Sequence, residues 1–330
     1  MDVSSFSRGF LFFLALIFSN IAFAYQNDSY LYQNEYLRFA QSYLSLLQDL
    51  PTDRLSSLPA DKQATCTQRY NGILKDGVID IRVALGYFDW TTGSAVGSYG
   101  LSPSIDLGAY ASLRDTLTDR CHGNLRFCGF KSDSRNPYVF TRTVSLFGKT
   151  YPVRLEMHFS SATEFFAANT GQYSSQQQQR TQFMDSFFAN ALQNADATFY
   201  FGHSRNGGGP DFAPPRLMKN NKVDYKGYYE VVRPGFKKVM AALSNPDKQT
   251  PIFGLMSCDS RDHFAGPLRK LAPHTGIITS TAVLNLDQVY TAMIGAIDAI
   301  LRGQCQQGFY KELRMTPGNQ EHITMDGMFE

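Results

Sequence analysis

Three short segments constrain this chain more than any other feature: Ala197–Phe201 (ATFYF), Ile252–Met256 (IFGLM) and Gly276–Ser280 (GIITS). Each is too short for a buried helix, and the first two are too apolar to alternate between a core and solvent. ATFYF and IFGLM read as strands covered on both faces, and GIITS as a further strand. Longer amphipathic stretches stand between and around them: Gln176–Asn194, Val231–Leu243, Asp262–Leu271 and Leu286–Leu301. Strands alternating with helices predict an α/β fold, a mostly parallel sheet with right-handed crossovers and flanking helices.

Upstream, Val139–Phe147 and Tyr151–Phe159 read as two strands around a Gly148-Lys149 turn, and Val78–Phe88 as another strand. Residues 25–60 carry apolar positions at a helical period. Thr91–Pro103 is rich in Gly and Ser and reads as a loop, and Asp106–Thr118 reads as a helix. The polar, turn-rich stretch Arg126–Pro137 suggests a boundary. The expected division is a smaller N-terminal α+β region over 25–135, an additional domain or pro-segment. An α/β domain over 136–305 and a polar tail over 306–330 would follow. The run Gln176–Gln179 reads as a solvated helical turn.

The first 24 residues look like a leader. Arg8 is followed by an apolar core from Phe10 to Phe18, and Ala22-Phe23-Ala24 fits a cleavage site before Tyr25. Export is therefore expected, to a periplasm or to the medium. No later apolar run approaches the ~20 residues of a membrane span, so no transmembrane segment is expected after cleavage. An oxidising compartment favours disulfides among Cys66, Cys121, Cys128, Cys258 and Cys305. An odd count leaves at least one thiol unpaired. Cys121 and Cys128 are close enough to close a small loop. Cys66 could then pair with Cys305 and leave Cys258 free, although four cysteines allow three connectivities.

With 31 basic and 29 acidic side chains the net charge is +2, which gives no basic excess for a nucleic acid partner. No HExxH motif or paired zinc-ligand spacing is present, so neither a metal nor another cofactor is expected.

Ligands of open α/β sheets bind beyond the carboxyl ends of the strands. Two strands here end in reactive side chains. ATFYF runs into Gly202-His203-Ser204, and IFGLM runs into Ser257-Cys258-Asp259-Ser260. If the two strands are neighbours, His203 and Cys258 emerge side by side. A thiol has a free pKa of about 8.5 and needs a base to become a nucleophile. An imidazole within hydrogen-bond reach would supply one. The backbone N–H groups of Ser204 and Cys258 would then form an oxyanion hole for acyl transfer. Asp211, Asp259 and Asp262 lie close by in sequence and form a candidate substrate pocket.

These motifs resemble the caspase-like cysteine peptidases, closest to CHAT, gingipain and clostripain-like members. FYFGHS is similar to the family's apolar strand ending in His, and FGLMSCDS to its apolar strand ending in Cys, acid and Ser. The His-to-Cys separation of 55 residues is near the roughly 50 of caspases. Ser204 stands where the family usually has Gly, and the caspase Q-A-C-x-G signature is absent. The resemblance covers residues 139–302. It implies Cys258 as nucleophile, His203 as base, a protein or peptide substrate and, through the acidic pocket, a basic side chain before the cut.

Two other readings compete. One is a catalytically inactive binding protein of the cell envelope on the same fold. The other is a serine hydrolase, because Gly202–Gly207 (GHSRNG) resembles a nucleophile elbow with Ser204 as nucleophile and Asp262 with His274 or His322 as partners. The run Gly207–Pro210 after Ser204 is a poor start for the helix that such an elbow requires.

Overall fold

The computed structural model of the chain describes residues 30–88, 104–315 and 319–330. The leader and the Thr91–Pro103 loop lie outside the described residues. Among the described residues, no helix is long and apolar enough to cross a membrane.

One sheet of eight strands runs through the molecule. Its strands are β1 Ile79–Leu85, β2 Lys131–Ser132, β3 Val139–Leu146, β4 Lys149–Phe159, β5 Ala197–Phe201, β6 Ile252–Met256, β7 Gly276–Ser280 and β8 Ile323–Asp326. The spatial order is β2-β3-β4-β1-β5-β6-β7-β8. Strands β4, β1, β5, β6 and β7 are mutually parallel, while β2, β3 and β8 are antiparallel additions at the two sides. The eight helices of a full turn or more that matter here are α1 Gln33–Leu47, α2 Ala60–Ile73, α3 Ile105–Thr118, α4 Ser174–Asn194, α5 Pro234–Ala242, α6 Gly266–Leu271, α7 Leu286–Arg302 and α8 Gln306–Leu313.

The helices form a layer on each face. α1, α3 and α7 share one apolar core with residues such as Phe199, Phe201 and Met256. α4, α5 and α6 share the other with Tyr200, Phe253 and Leu255. The alternation of side chains along β5 and β6 sends successive residues to opposite cores, which is why both strands are apolar throughout. Gly254 in β6 is required by packing: a Cβ there would stand 2.4 Å from the Phe199 ring. The β3–β4 hairpin turns through Phe147 and Gly148, with φ of 49° and 79°, the left-handed pair that matches strand twist.

The expected division near residue 135 does not separate a unit. β1 comes from within residues 25–135, yet it is hydrogen-bonded between β4 and β5 near the centre of the sheet. Removing residues 25–135 would remove that strand. The expected polar tail is also structured. α8 and β8 follow Cys305, and Phe309, Leu313, Ile323, Met328 and Phe329 are buried. The outer edge of β8 is covered rather than open. The Tyr310 hydroxyl lies 3.5 Å from the Met325 carbonyl and accepts from the Met325 N–H at 3.3 Å, and Arg314 donates to the Ile323 carbonyl. The Gln run is not fully solvated either. Gln177 is buried, accepting from Ala162 N–H and donating to the Ser160 carbonyl.

The two ends of the described chain are tied together. Cys66 of α2 is disulfide-bonded to Cys305, and Cys121 to Cys128. Both pairs are consistent with an exported protein. Beside Cys305, the fully buried Arg302 guanidinium pairs with Asp298 at 3.4 Å and Glu312 at 2.8 Å. Two carboxylates share one cation, and burial with the Asp298 charge pushes the Glu312 carboxyl upward, so the cluster retains a proton. Arg69 of α2 donates to the carbonyls of Met328, Pro251, His274 and Gly327, fastening the C-terminal strand to the amino ends of β6 and β7.

At the amino end of β5, Asp196 is buried and accepts a hydrogen bond from the Asp80 N–H at 2.8 Å. Burial, with the charges of Asp76 and Asp80, raises its pKa to about 7. Because the folded value lies above the unfolded one, the stability that Asp196 contributes is complete below pH ~4. It is lost as pH rises through about 7, to a ceiling of about 4 kcal/mol. The thermal midpoint is therefore expected to fall between pH 5 and 8. Asp196→Asn, which keeps an acceptor for the Asp80 N–H, should flatten that fall. An unchanged pH profile in the variant would remove Asp196 as its source.

Candidate functional site

The connection from β1 to β4 passes through α3 on one face, and the connection from β4 to β5 passes through α4 on the other. The strand order therefore reverses between β1 and β5. In open α/β sheets, ligands usually bind beyond the carboxyl ends of the strands at such a reversal, here next to the residues that follow β1, β5 and β6. His203 follows β5 by two residues, and its ring stands edge-on to Phe88, which follows β1, at 4.3 Å. The backbone here depends on two glycines. The Tyr200 hydroxyl sits 2.5 Å from where a Cβ would stand on both Gly86 and Gly202, and it donates to the His203 carbonyl at 3.0 Å. A side chain at residue 202 would displace the hydroxyl that holds His203 in place.

Strand β6 is paired with β5 in parallel, and every partner pair from Ala197↔Ile252 to Phe201↔Met256 is offset by 55 positions. His203 and Cys258 have the same offset. Each follows its strand by two residues. Cys258 is the one cysteine outside a disulfide among the described residues, and it is half-buried. Its thiol points at the Leu284 carbonyl, 3.6 Å away, in the loop between β7 and α7. Burial pushes the thiol pKa up, and the Asp259 charge adds to this. The sequence reading of a thiol already activated by imidazole is thus not what the resting geometry presents. The proton stays on sulfur, because the nearby acceptor is a neutral carbonyl and the nearby charge is negative.

The turn beyond Cys258 is strained. Asp259 has a φ of 46°, and its N–H donates to the Ala282 carbonyl at 2.9 Å. In the loop after His203, Arg205 and Asn206 have φ of 50° and 52°, and Arg233 has 48°. Four of the six positive-φ residues other than glycine among the described residues thus lie around these strand ends. Each such conformation costs about 1–3 kcal/mol and persists where surrounding contacts over-determine it, a pattern that clusters at functional sites. Single π-helical turns at Tyr225–Tyr229 and Arg261–Ala265 flank the same region, a second irregularity common at such sites. Among the described residues, no backbone carbonyl outside the helices and strands accepts from the Ser204 or the Cys258 N–H.

The three candidate pocket acids fall in different places. Asp211 turns inward: its carboxylate lies 3.6 Å from the buried Arg205 and accepts from the Tyr229 hydroxyl at 2.9 Å. Burial pushes its pKa up and the Arg205 charge opposes that. It braces the loop after His203 and is not available as a pocket floor. Asp259 stands beside Cys258, and Asp262 is exposed one helical turn later. His263, a further residue on, packs against Gly207 and has its pKa lowered by burial. His158 is held by Glu156 at 2.9 Å among Tyr138, Phe183 and Phe187, a structural role.

Ser204 opens a three-residue 3-10 turn, Arg205–Gly207, and no α-helix starts until Glu230. The helix that an elbow requires is absent there. His274 lies at the amino ends of β6 and β7, in a cleft of about 300 Å³ with Arg69 and Glu330, on the opposite edge of the sheet. His322 accompanies Thr281 beyond β7, two strands from Ser204. Sequence reasoning missed Arg205, Arg233 and Phe88 as parts of the site. No local signal marks a buried arginine in a polar glycine-rich loop.

No protein-family model, curated protein or solved structure matches the chain. Among the described residues, no group of three His, Cys, Asp or Glu side chains is gathered to hold a metal ion.

Proposed function

We propose that the chain is an exported cysteine peptidase of caspase-like fold, with Cys258 as nucleophile and His203 as general base. The observation that carries this is the shared register: a histidine and the one free thiol leave adjacent parallel strands at the same level, beside the reversal of strand order. Substrate bound there brings a carbonyl carbon to the Cys258 sulfur. As the S–C bond forms, the thiol proton passes to the His203 ring. The carbonyl oxygen takes up negative charge between the Ser204 and Cys258 N–H groups. The imidazolium then gives its proton to the departing amine as the C–N bond breaks. Water, deprotonated by His203, hydrolyses the thioester and restores the thiol.

The neutral resting thiol makes this reading sharp. Iodoacetamide, which reports only the thiolate, should modify Cys258 slowly at pH 7, with a midpoint above about 8.5. A peptidyl chloromethyl ketone occupies the substrate site and engages His203, so it should label Cys258 at least ~100-fold faster at the same pH. His203→Ala should erase that difference. Equal slow labelling by both reagents, unaffected by His203→Ala, would instead support a non-enzymatic binding protein. That second reading draws on the thiol's hydrogen bond to Leu284.

A further inference from the structure

We infer that Arg233 is a positioning residue that clasps the His203 loop to the segment following Cys258. This inference rests on the peptidase reading. Arg233 ends the short helical segment Glu230–Val232 in a left-handed conformation and precedes Pro234 at the start of α5. From there its guanidinium reaches both segments. Nε donates to the Gly207 carbonyl at 2.9 Å, and Nη2 donates to the His263 carbonyl at 2.7 Å. Gly207 lies four residues after His203, and His263 five residues after Cys258.

The contact is built to hold a distance. The guanidinium fork is planar, so its two acceptors are fixed relative to one another. Its plane rests on the Phe236 ring, 4.4 Å from carbon to centroid, which limits swinging. Gly207 packs against the His263 ring, where a Cβ would stand 3.2 Å from Nδ1, so the two segments already touch below the clasp. The Asn206 side chain adds a hydrogen bond to Glu230, anchoring the loop to the segment that carries Arg233. The strained φ at Arg205, Asn206 and Arg233 is what the clasp maintains. Without it, the loop after His203 relaxes independently of the turn after Cys258. Proton transfer between base and nucleophile depends on that spacing, and a 1 Å displacement costs about 10²-fold.

The test compares Arg233→Ala, Arg233→Lys and wild type by peptide hydrolysis, thermal midpoint and amide hydrogen exchange. Arg233→Ala should lower kcat by about 10- to 100-fold with KM within about twofold. Methylguanidinium added at tens of millimolar should restore part of kcat, and Arg233→Lys, which reaches one carbonyl, should fall between. Exchange at the amides of residues 207–209 and 263–265 should rise together in the alanine variant. A kcat unchanged in Arg233→Ala, or lost only in proportion to the thermal midpoint with no guanidinium rescue, overturns the clasp. If wild type hydrolyses no peptide, the peptidase reading has failed by itself. The clasp is then decided by exchange alone, and unchanged protection in Arg233→Ala overturns it.

Discussion

Cys258→Ala is expected to remove peptide hydrolysis to background, a loss of at least about 10⁴-fold in kcat, and His203→Ala to lower kcat by about 10²–10⁴-fold. The two losses differ because the residues do different things. Without the sulfur no acyl intermediate forms. Without the imidazole the attack still proceeds through the small thiolate fraction of Cys258, which burial and the Asp259 charge make smaller. The double variant should therefore be no worse than Cys258→Ala, since the residues act as one unit. Activity of His203→Ala should recover towards high pH as the thiol ionises unaided, whereas the Cys258→Ala variant should show no such recovery. Initial rates with a fluorogenic peptide pool from pH 6 to 10 read both effects. Hydrolysis that survives Cys258→Ala, or that is lost in Ser204→Ala by removal of a nucleophile, would overturn the assignment. The structure already weakens that rival, because Ser204 leads into a single 3-10 turn.

What was legible in the sequence follows from how each element is buried. β5, β6 and β7 are read correctly because both faces of each are covered, leaving short runs without a charged residue, mostly apolar in β5 and β6. α7 is read correctly because its N-terminus is capped by Asn285 and Gln288 and nearly all its residues are buried. α2 is missed because only Cys66, Tyr70 and Ile73 of its 14 residues are buried, too few to set a period. α8 and β8 are missed because their apolar residues are scattered among charges that are themselves engaged, as Glu312 is with Arg302. The position of β1 could not be read at all. Its local pattern marks a strand, but nothing local says that β4 and β5 close on either side of it.

The site divides in the same way. The level of His203 and Cys258 is legible, since equal offsets follow once two strands are assumed to be neighbours. The electrostatics are not. Whether an aspartate lines a pocket or braces a loop depends on the residue that it meets, and Asp211 meets Arg205 and Tyr229. The break of the expected Val231–Leu243 helix at Arg233 has a local mark in Pro234, which disfavours a helical conformation in the residue before it, but the Gly207 and His263 carbonyls that the arginine meets have none.

Removing the Cys66–Cys305 disulfide is expected to be the largest stability loss available to a single covalent change. The bond joins positions 239 residues apart, whereas Cys121–Cys128 joins positions 7 apart. Chain-entropy scaling gives about 5.5 kcal/mol for the first loop and about 2.4 kcal/mol for the second. Against a typical total of 5–15 kcal/mol, the first can decide whether the chain folds. Its surroundings amplify the effect. The Cys305 N–H and the Gly308 N–H both donate to Asp53, and Arg302 donates to the Leu50 carbonyl. Freeing Cys305 from α2 therefore loosens the cradle that neutralises Arg302, Asp298 and Glu312. The paired change Cys66→Ala/Cys305→Ala avoids burying two hydroxyls. It should destabilise by roughly twice as much as Cys121→Ala/Cys128→Ala and steepen the dependence on urea, because the unfolded chain is no longer held compact by the long loop. Reducing agent should reproduce the sum of both losses in wild type and leave the double-pair variant unaffected. Equal losses for the two pairs would mean that loop length does not govern them, and that the unfolded chain already holds α2 against the C-terminal segment.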